Sequence, residues 1–400
     1  MKKLLLIAAA LASFSAFAQK NNDLAKTPPM GWNSWNTFAC DINEKLIKEM
    51  ADVMVSSGMR DAGYVYLNLD DCWHGQRDSL GFIHPDPQRF PSGIKALADY
   101  VHSKGLKIGI YSDAGWKTCG GKPGSRGYEF QDALTYAKWG IDYLKYDWCY
   151  TEGLNAEEAY KSIGTALVAS GRPIVLSICE WGNHKPWTWG AKYGHLWRTT
   201  GDIVDCWDCE LGHGSWASKG ILRILDMQID SGIRQYAGPG HWNDPDMMEV
   251  GNDLTVSESR AHFSLWCMLA APLIAGNDLR SMTKETKEIL TNKEMIAIDQ
   301  DSLGVQCFRW FDYRTFQVFA KPLANGELAV CFLNRGETPY NINFDWKDTE
   351  NIYDGPHVYE FNKTTYKLRD VWAHKDAGTT AKPFVATLAP HDVIVLRLKK

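Results

Sequence analysis

The strongest constraint on this chain is a rhythm. From Pro28 to about Gln300, short apolar runs, most with an acid close behind, alternate with amphipathic stretches of helical period. The runs predict strands at Met30 to Trp35, Tyr64 to Leu69, Leu106 to Ser112, Tyr143 to Trp148, Pro173 to Cys179, Leu196 to Thr200 and Pro272 to Ala275, with Trp242 to Met248 a tight segment rich in acids. The stretches between predict helices, the first over Glu44 to Ser57 with Leu46, Ile47, Met50, Val53 and Met54 on one side. About eight such units in roughly 270 residues fit an α/β fold, the (β/α)8 TIM barrel. A doubly wound open sheet competes, but no phosphate loop is readable. The glycine cluster Gly120, Gly121, Gly124 and Gly127 has the wrong spacing, because Cys119 stands where a nucleotide fingerprint needs its first glycine.

After about Asp301 the texture changes. Roughly seven or eight alternating or apolar runs between turn residues predict a C-terminal antiparallel β-sandwich of about 100 residues. No acidic pair sits at its strand ends, so it is expected to be a packing domain. The resulting division is residues 1–18 as a signal peptide, 19–300 as the catalytic barrel and 301–400 as the sandwich.

The N-terminus carries the marks of export. Lys2 and Lys3 precede the apolar core Leu4 to Leu11, and Ala16-Phe17-Ala18 fits a small-x-small cleavage site. A periplasmic or secreted protein with no membrane anchor is expected, since no second apolar run is long enough to span a bilayer. Cleavage would remove two lysines and no acids, moving the net charge from −5 to −7. That mild acidity excludes nucleic acid as a natural partner. All ten cysteines remain after cleavage, and an oxidising compartment favours pairing among them. Cys206-Trp207-Asp208-Cys209 has redox-motif spacing without a thioredoxin-like setting, so it is expected to be a structural or local disulfide.

On a barrel, the strand ends converge on one face. That face would carry Trp32, Asp70, Asp71, Tyr111, Asp113, Lys145, Asp147, Glu180, Trp181, Arg198, Asp202, Asp244 and Asp246. Each has a bland explanation alone: one strand-end acid is a cap, one tryptophan is core, one arginine is an ion-pair partner. Most of the 17 tryptophans are expected to be packing. A ring of acids with a lysine, an arginine and several tryptophans is harder to ascribe to packing. Clustered carboxylates also hold Ca²⁺ or Mg²⁺, but Lys145 and Arg198 fall in the same place, so no metal is expected. Two carboxylates on different strands among aromatic side chains suit glycoside hydrolysis. Lys145 precedes Asp147 by two residues and points the same way from a strand. It favours an ionised Asp147, the better nucleophile, which leaves Asp202, beside Arg198, as the acid/base.

Seven ordered motifs carry a resemblance to glycoside hydrolase family 27, the α-galactosidase (melibiase) family, of the plant and microbial type. They are Met30-Gly31-Trp32-Asn33-Ser34-Trp35, Leu69-Asp70-Asp71-Cys72-Trp73, Gly109-Ile110-Tyr111-Ser112-Asp113, Leu144-Lys145-Tyr146-Asp147-Trp148-Cys149, Cys179-Glu180-Trp181-Gly182, Arg198-Thr199-Thr200-Gly201-Asp202-Ile203 and Gly240-His241-Trp242-Asn243-Asp244-Pro245-Asp246-Met247. The resemblance implies a retaining double displacement with Asp147 as nucleophile and Asp202 as acid/base. It implies a galactose pocket of Trp32, Asp70, Asp71, Tyr111, Lys145, Cys179, Trp181, Arg198 and Asp246. It also implies two disulfides, Cys40 with Cys72 and Cys119 with Cys149, and no cofactor. Asp70 and Asp71 would hold the axial O4 and the O6 hydroxyl by charge-assisted hydrogen bonds. Trp181 is too bulky for an acetamido group at C2, and short Asp70 leaves room for the hydroxymethyl group. α-D-Galactosides are therefore favoured over N-acetylgalactosaminides and over β-L-arabinopyranosides, the latter a side activity at most. A non-catalytic galactose-binding protein is the alternative from another class. The aglycone, and the choice between monomer and homodimer, are not legible.

Overall fold

A computed structural model describes residues 20–400. The proposed signal peptide, residues 1–18, lies outside the described residues. Eight parallel strands form one curled sheet: β1 Met30–Asn33, β2 Tyr66–Asn68, β3 Lys107–Asp113, β4 Tyr143–Asp147, β5 Val175–Ile178, β6 Leu196–Arg198, β7 Trp242–Asp244 and β8 Leu273–Ala275. They pair in chain order from β1 to β7, and β8 pairs with β1 through Met30 opposite Leu273. The remaining seam, between β7 and β8, is crossed by Met248, which bridges to Ala275 and whose N–H donates to the Ile274 carbonyl at 2.7 Å. The result is a (β/α)8 barrel.

The strands are nearly all buried because helices cover them. Several helices have a local reason to start and a face to bury. Asn43 caps Glu44–Ser56 by accepting from the Leu46 N–H, and Leu46, Ile47, Met50, Ala51 and Met54 turn inward. Asn155 caps Ala156–Ala169 in the same way. Thr255 and Glu258 form a capping box on Val256–Met268. That last helix is buried on almost every side, since it lies between the barrel and the C-terminal sheet.

The C-terminal part has a six-stranded antiparallel sheet in the spatial order 308–312, 316–322, 328–334, 393–399, 367–370 and 375–379. Two further ribbons, 340–344 with 384–388 and 352–354 with 357–359, complete the second layer. Successive residues alternate between two cores. Phe319, Ala329, Cys331, Leu333 and Val395 join the barrel's core. Val318, Val330, Phe332 and Leu396 join the sandwich's own, around Trp346. Both faces of the central strands are thus buried, which explains their near-continuous apolar sequence. Arg260 pairs with Asp392, and Arg335 with Asp226 at 2.7 Å, across the junction.

Candidate active site

The C-terminal ends of the barrel strands surround a cavity of about 490 Å³. Its floor is a chain of charged contacts. Lys145 on β4 reaches Asp70, two residues past β2, at 2.8 Å, and Asn33 at the end of β1 donates to the same carboxylate oxygen at 2.8 Å. The other Asp70 oxygen accepts from the Asp71 N–H at 2.9 Å. Burial alone would pull the Lys145 ammonium down. Asp70, Cys179 and Asp147 more than offset it, so its pKa stands well above the ordinary lysine value.

Asp71 depends on a close backbone approach. Gly120 donates its N–H to Asp71 Oδ2 at 2.7 Å, and a Cβ on Gly120 would lie 2.9 Å from that oxygen. The Cys119–Cys149 disulfide ties this loop to the end of β4, and Cys40–Cys72 ties the turns after β1 and β2. Cys206–Cys209 is a third, local disulfide. The glycine-rich stretch that fits no nucleotide therefore has a different use, the close support of a carboxylate.

Asp147 closes β4 and is buried, with both oxygens occupied. Tyr111 Oη donates to Oδ2 at 2.9 Å, and the Trp148 N–H donates to Oδ1 at 3.0 Å. Burial lifts the Asp147 carboxyl to about 6, against the pull of Lys145 and with a push from the Asp202 charge. Asp202 is the open partner, its side chain 42% exposed. Arg198 is shared between Asp202, at 3.0 Å, and the buried Asp246, at 2.7 Å. Asp246 sits at φ +89° and Trp181 at φ +58°, both left-handed for non-glycine residues. Such conformations are costly and concentrate at functional sites. The Asp246 carboxylate is further held by N–H groups of Met247 at 2.8 Å and Ile203 at 2.9 Å.

Asp70, Asp71, Tyr111, Lys145, Asp147, Trp181, Arg198, Asp202 and Asp246 are brought together around this one cavity. Two expected pocket residues are not. Trp32 is fully buried, its Nε1 donating to the Asn277 carbonyl at 2.8 Å and its ring against Phe38. The strand stops at Asn33, and the following turn of helix Trp35–Phe38 carries Trp35 over the cavity instead. Cys179 is also buried, and it lines a small void beneath the floor with Asn68, Ser177 and Asp244. Asp113, Glu180 and Asp244 leave the ring as well. Asp113 accepts from the N–H groups of Gly115 and Cys149, and burial lifts it to about 9. Glu180 accepts from the His184 N–H at 2.6 Å. Among the described residues one group, Asp113 with Cys119 and Cys149, has metal-ligand spacing. Its two cysteines are joined as a disulfide and offer no thiolate.

Trp35, Met247, Glu249 and the pair His213 and Trp216 line the cavity without having been singled out in the sequence. His213 and Trp216 belong to the turn of a hairpin at 210–219 whose sequence carries no periodic pattern.

A barrel whose strand ends gather acids, one lysine, one arginine and aromatic walls into a single cavity belongs with the glycoside hydrolases. The family model described as alpha galactosidase A matches residues 27–301, and the one described as alpha galactosidase C-terminal beta sandwich domain matches residues 314–398. Alpha-galactosidase A of Cellvibrio japonicus is 56% identical, covering 98% of this chain and 97% of that protein. The alpha-galactosidase of Cyamopsis tetragonoloba is 47% identical over 92% of this chain and 85% of its own length. Among solved structures, alpha-galactosidase I of Mortierella vinacea superposes with a TM-score of 0.88 at 39% identity, covering 94% of this chain and 98% of that one. The chain belongs to the α-galactosidase family, glycoside hydrolase family 27.

Proposed function

We propose that this enzyme removes terminal α-D-galactosyl residues from galactosides with retention at C1. Asp147 is the nucleophile and Asp202 the acid/base. In the first step the Asp147 carboxylate forms a bond to C1 while the bond from C1 to the leaving oxygen breaks and Asp202 gives that oxygen its proton. In the second, Asp202 takes a proton from water, the water oxygen bonds to C1, and the ester to Asp147 breaks. The observation that carries this reading is the contrast between the two carboxyls. Asp147 is enclosed, with a donor on each oxygen, which suits an ionised group placed to attack. Asp202 is half-open at the mouth, where protons and leaving groups pass.

Asp70 and Asp71, fixed by Lys145, Asn33 and Gly120, are the acceptors for galactose hydroxyls. Asp246 and Arg198 hold the opposite side. Trp35 and Trp181 supply apolar walls for the C–H faces of the ring. The three disulfides favour an oxidising compartment, in keeping with export through residues 1–18. No helix among the described residues is long and apolar enough to cross a membrane.

A proton NMR time course with p-nitrophenyl α-D-galactopyranoside tests the proposal. Free galactose should appear first as the α-anomer, and Asp147→Ala should abolish turnover while keeping galactose binding. The β-anomer appearing first would overturn the nucleophile assignment. Binding of galactose by the wild type without turnover would favour the non-catalytic alternative.

A further inference from the structure

The antiparallel hairpin of Glu210–Gly212 and Ala217–Lys219 stands outside the ring of charged groups assigned to galactose, yet it is anchored at Asp202. The Lys219 N–H donates to the Asp202 carbonyl at 2.9 Å, and the Val204 N–H donates to the Lys219 carbonyl at 3.0 Å. The Cys206–Cys209 disulfide closes its base against Gly220, where a Cβ would lie 2.7 Å from Cys206 Sγ. At the tip Trp216 is 52% exposed. Its indole stacks on His213, with ring centroids 4.1 Å apart and planes at 27°. His213 Nε2 is fixed in turn by Ser218 Oγ at 2.9 Å. All three residues line the cavity that holds Asp147 and Asp202.

An indole that is half bare and backed by a locked imidazole is a platform rather than core. Its location selects the ligand. The acid/base must reach the oxygen that leaves, so whatever is attached to that oxygen lies on the Asp202 side, where this hairpin is tied. A flat aromatic face offers C–H stacking to a pyranose, with little to hold a small or charged leaving group.

We propose that Trp216, backed by His213, forms an outer subsite that binds the pyranose adjoining the terminal galactose, and so selects α-galactosides whose aglycone is itself a sugar. The proposal rests on the assignment of Asp202 as acid/base.

The test compares melibiose, galactose joined to glucose, with α-galactosyl fluoride, whose leaving group cannot reach the platform. The readout is the ratio of kcat/KM on the two substrates, which is independent of the fraction of folded enzyme. Trp216→Ala should lower that ratio by roughly tenfold, the factor that about 1.4 kcal/mol represents. Trp216→Phe should recover most of it. An unchanged ratio for Trp216→Ala overturns the subsite, including the case where both rates fall together. A wild type inert on both substrates refutes the hydrolase reading and takes the subsite with it.

Discussion

Replacing Tyr111 by Phe removes one oxygen and isolates one contact. Tyr111 is buried, and its hydroxyl donates to Asp147 Oδ2 at 2.9 Å. A hydrogen bond to a charged group contributes roughly 1.5–3 kcal/mol. The Trp148 N–H and Lys145 still favour the carboxylate after the change, so the lower end applies, about 1.5 kcal/mol. At 1.36 kcal/mol per unit, the Asp147 pKa should rise by about one unit. Without substrate the wild-type carboxyl stands at about 6. Since kcat/KM reports the free enzyme, its acid limb should lie near pH 6 in the wild type and about one unit higher in Tyr111→Phe. The assay is kcat/KM for an aryl α-galactoside across the pH range. An acid limb that stays where the wild type has it would refute Asp147 as the titrating nucleophile.

Other expectations bear on stability and on the walls of the site. Burial raises Asp113 to about 9, Asp299 to about 8 and Glu249 to about 7. Between the unfolded carboxyl range and these values the native state binds protons that the unfolded chain has released, so stability falls as pH rises. Tm should therefore be higher at pH 5 than at pH 9, and a flat or rising Tm would contradict the assignment. Replacing Cys119 and Cys149 together by Ser should cost about 2–4 kcal/mol in stability. It should also raise KM, because the freed loop carries the Gly120 N–H that holds Asp71; a lower Tm with KM unmoved would separate the two roles. Trp32→Ala should destabilise by about 3–5 kcal/mol as a core truncation, whereas Trp35→Ala should mainly raise KM. Urea unfolding beside steady-state kinetics distinguishes them, and the reverse pattern would return Trp32 to the pocket.

The barrel was legible because buried parallel strands are continuous apolar runs and the helices between them keep a 3.6-residue period. Strand lengths were over-read: Tyr64 to Leu69 shrinks to Tyr66–Asn68, since apolar residues continue past the hydrogen-bonded ladder into the strand's approach. The hairpin at 210–219 carries no strand signal in the sequence, because its first strand is exposed throughout and has no apolar face. In the sandwich, Lys375–Thr379 escaped for the same reason, being an exposed edge strand. The acids at strand ends stood out as a group, but strand periodicity did not say which of them faced the cavity; only the family resemblance left Asp113, Glu180 and Asp244 out of the pocket. Asp113 and Asp147 are register partners on adjacent strands, and only the three-dimensional course of the following loops buries one beneath backbone amides and opens the other to the cavity.

The pairing of Met30 with Leu273 has a consequence for a chain still being made. Asp70, Asp147 and Asp202 are all synthesised well before β8, yet nothing aims them at one another until the last strand docks beside the first. Closure across so long a stretch of chain is slow, because its loop-closure entropy is spent before the contact forms. A nascent or truncated polypeptide that carries every acid of the site is consequently inert by geometry, and activity waits on the completed ring.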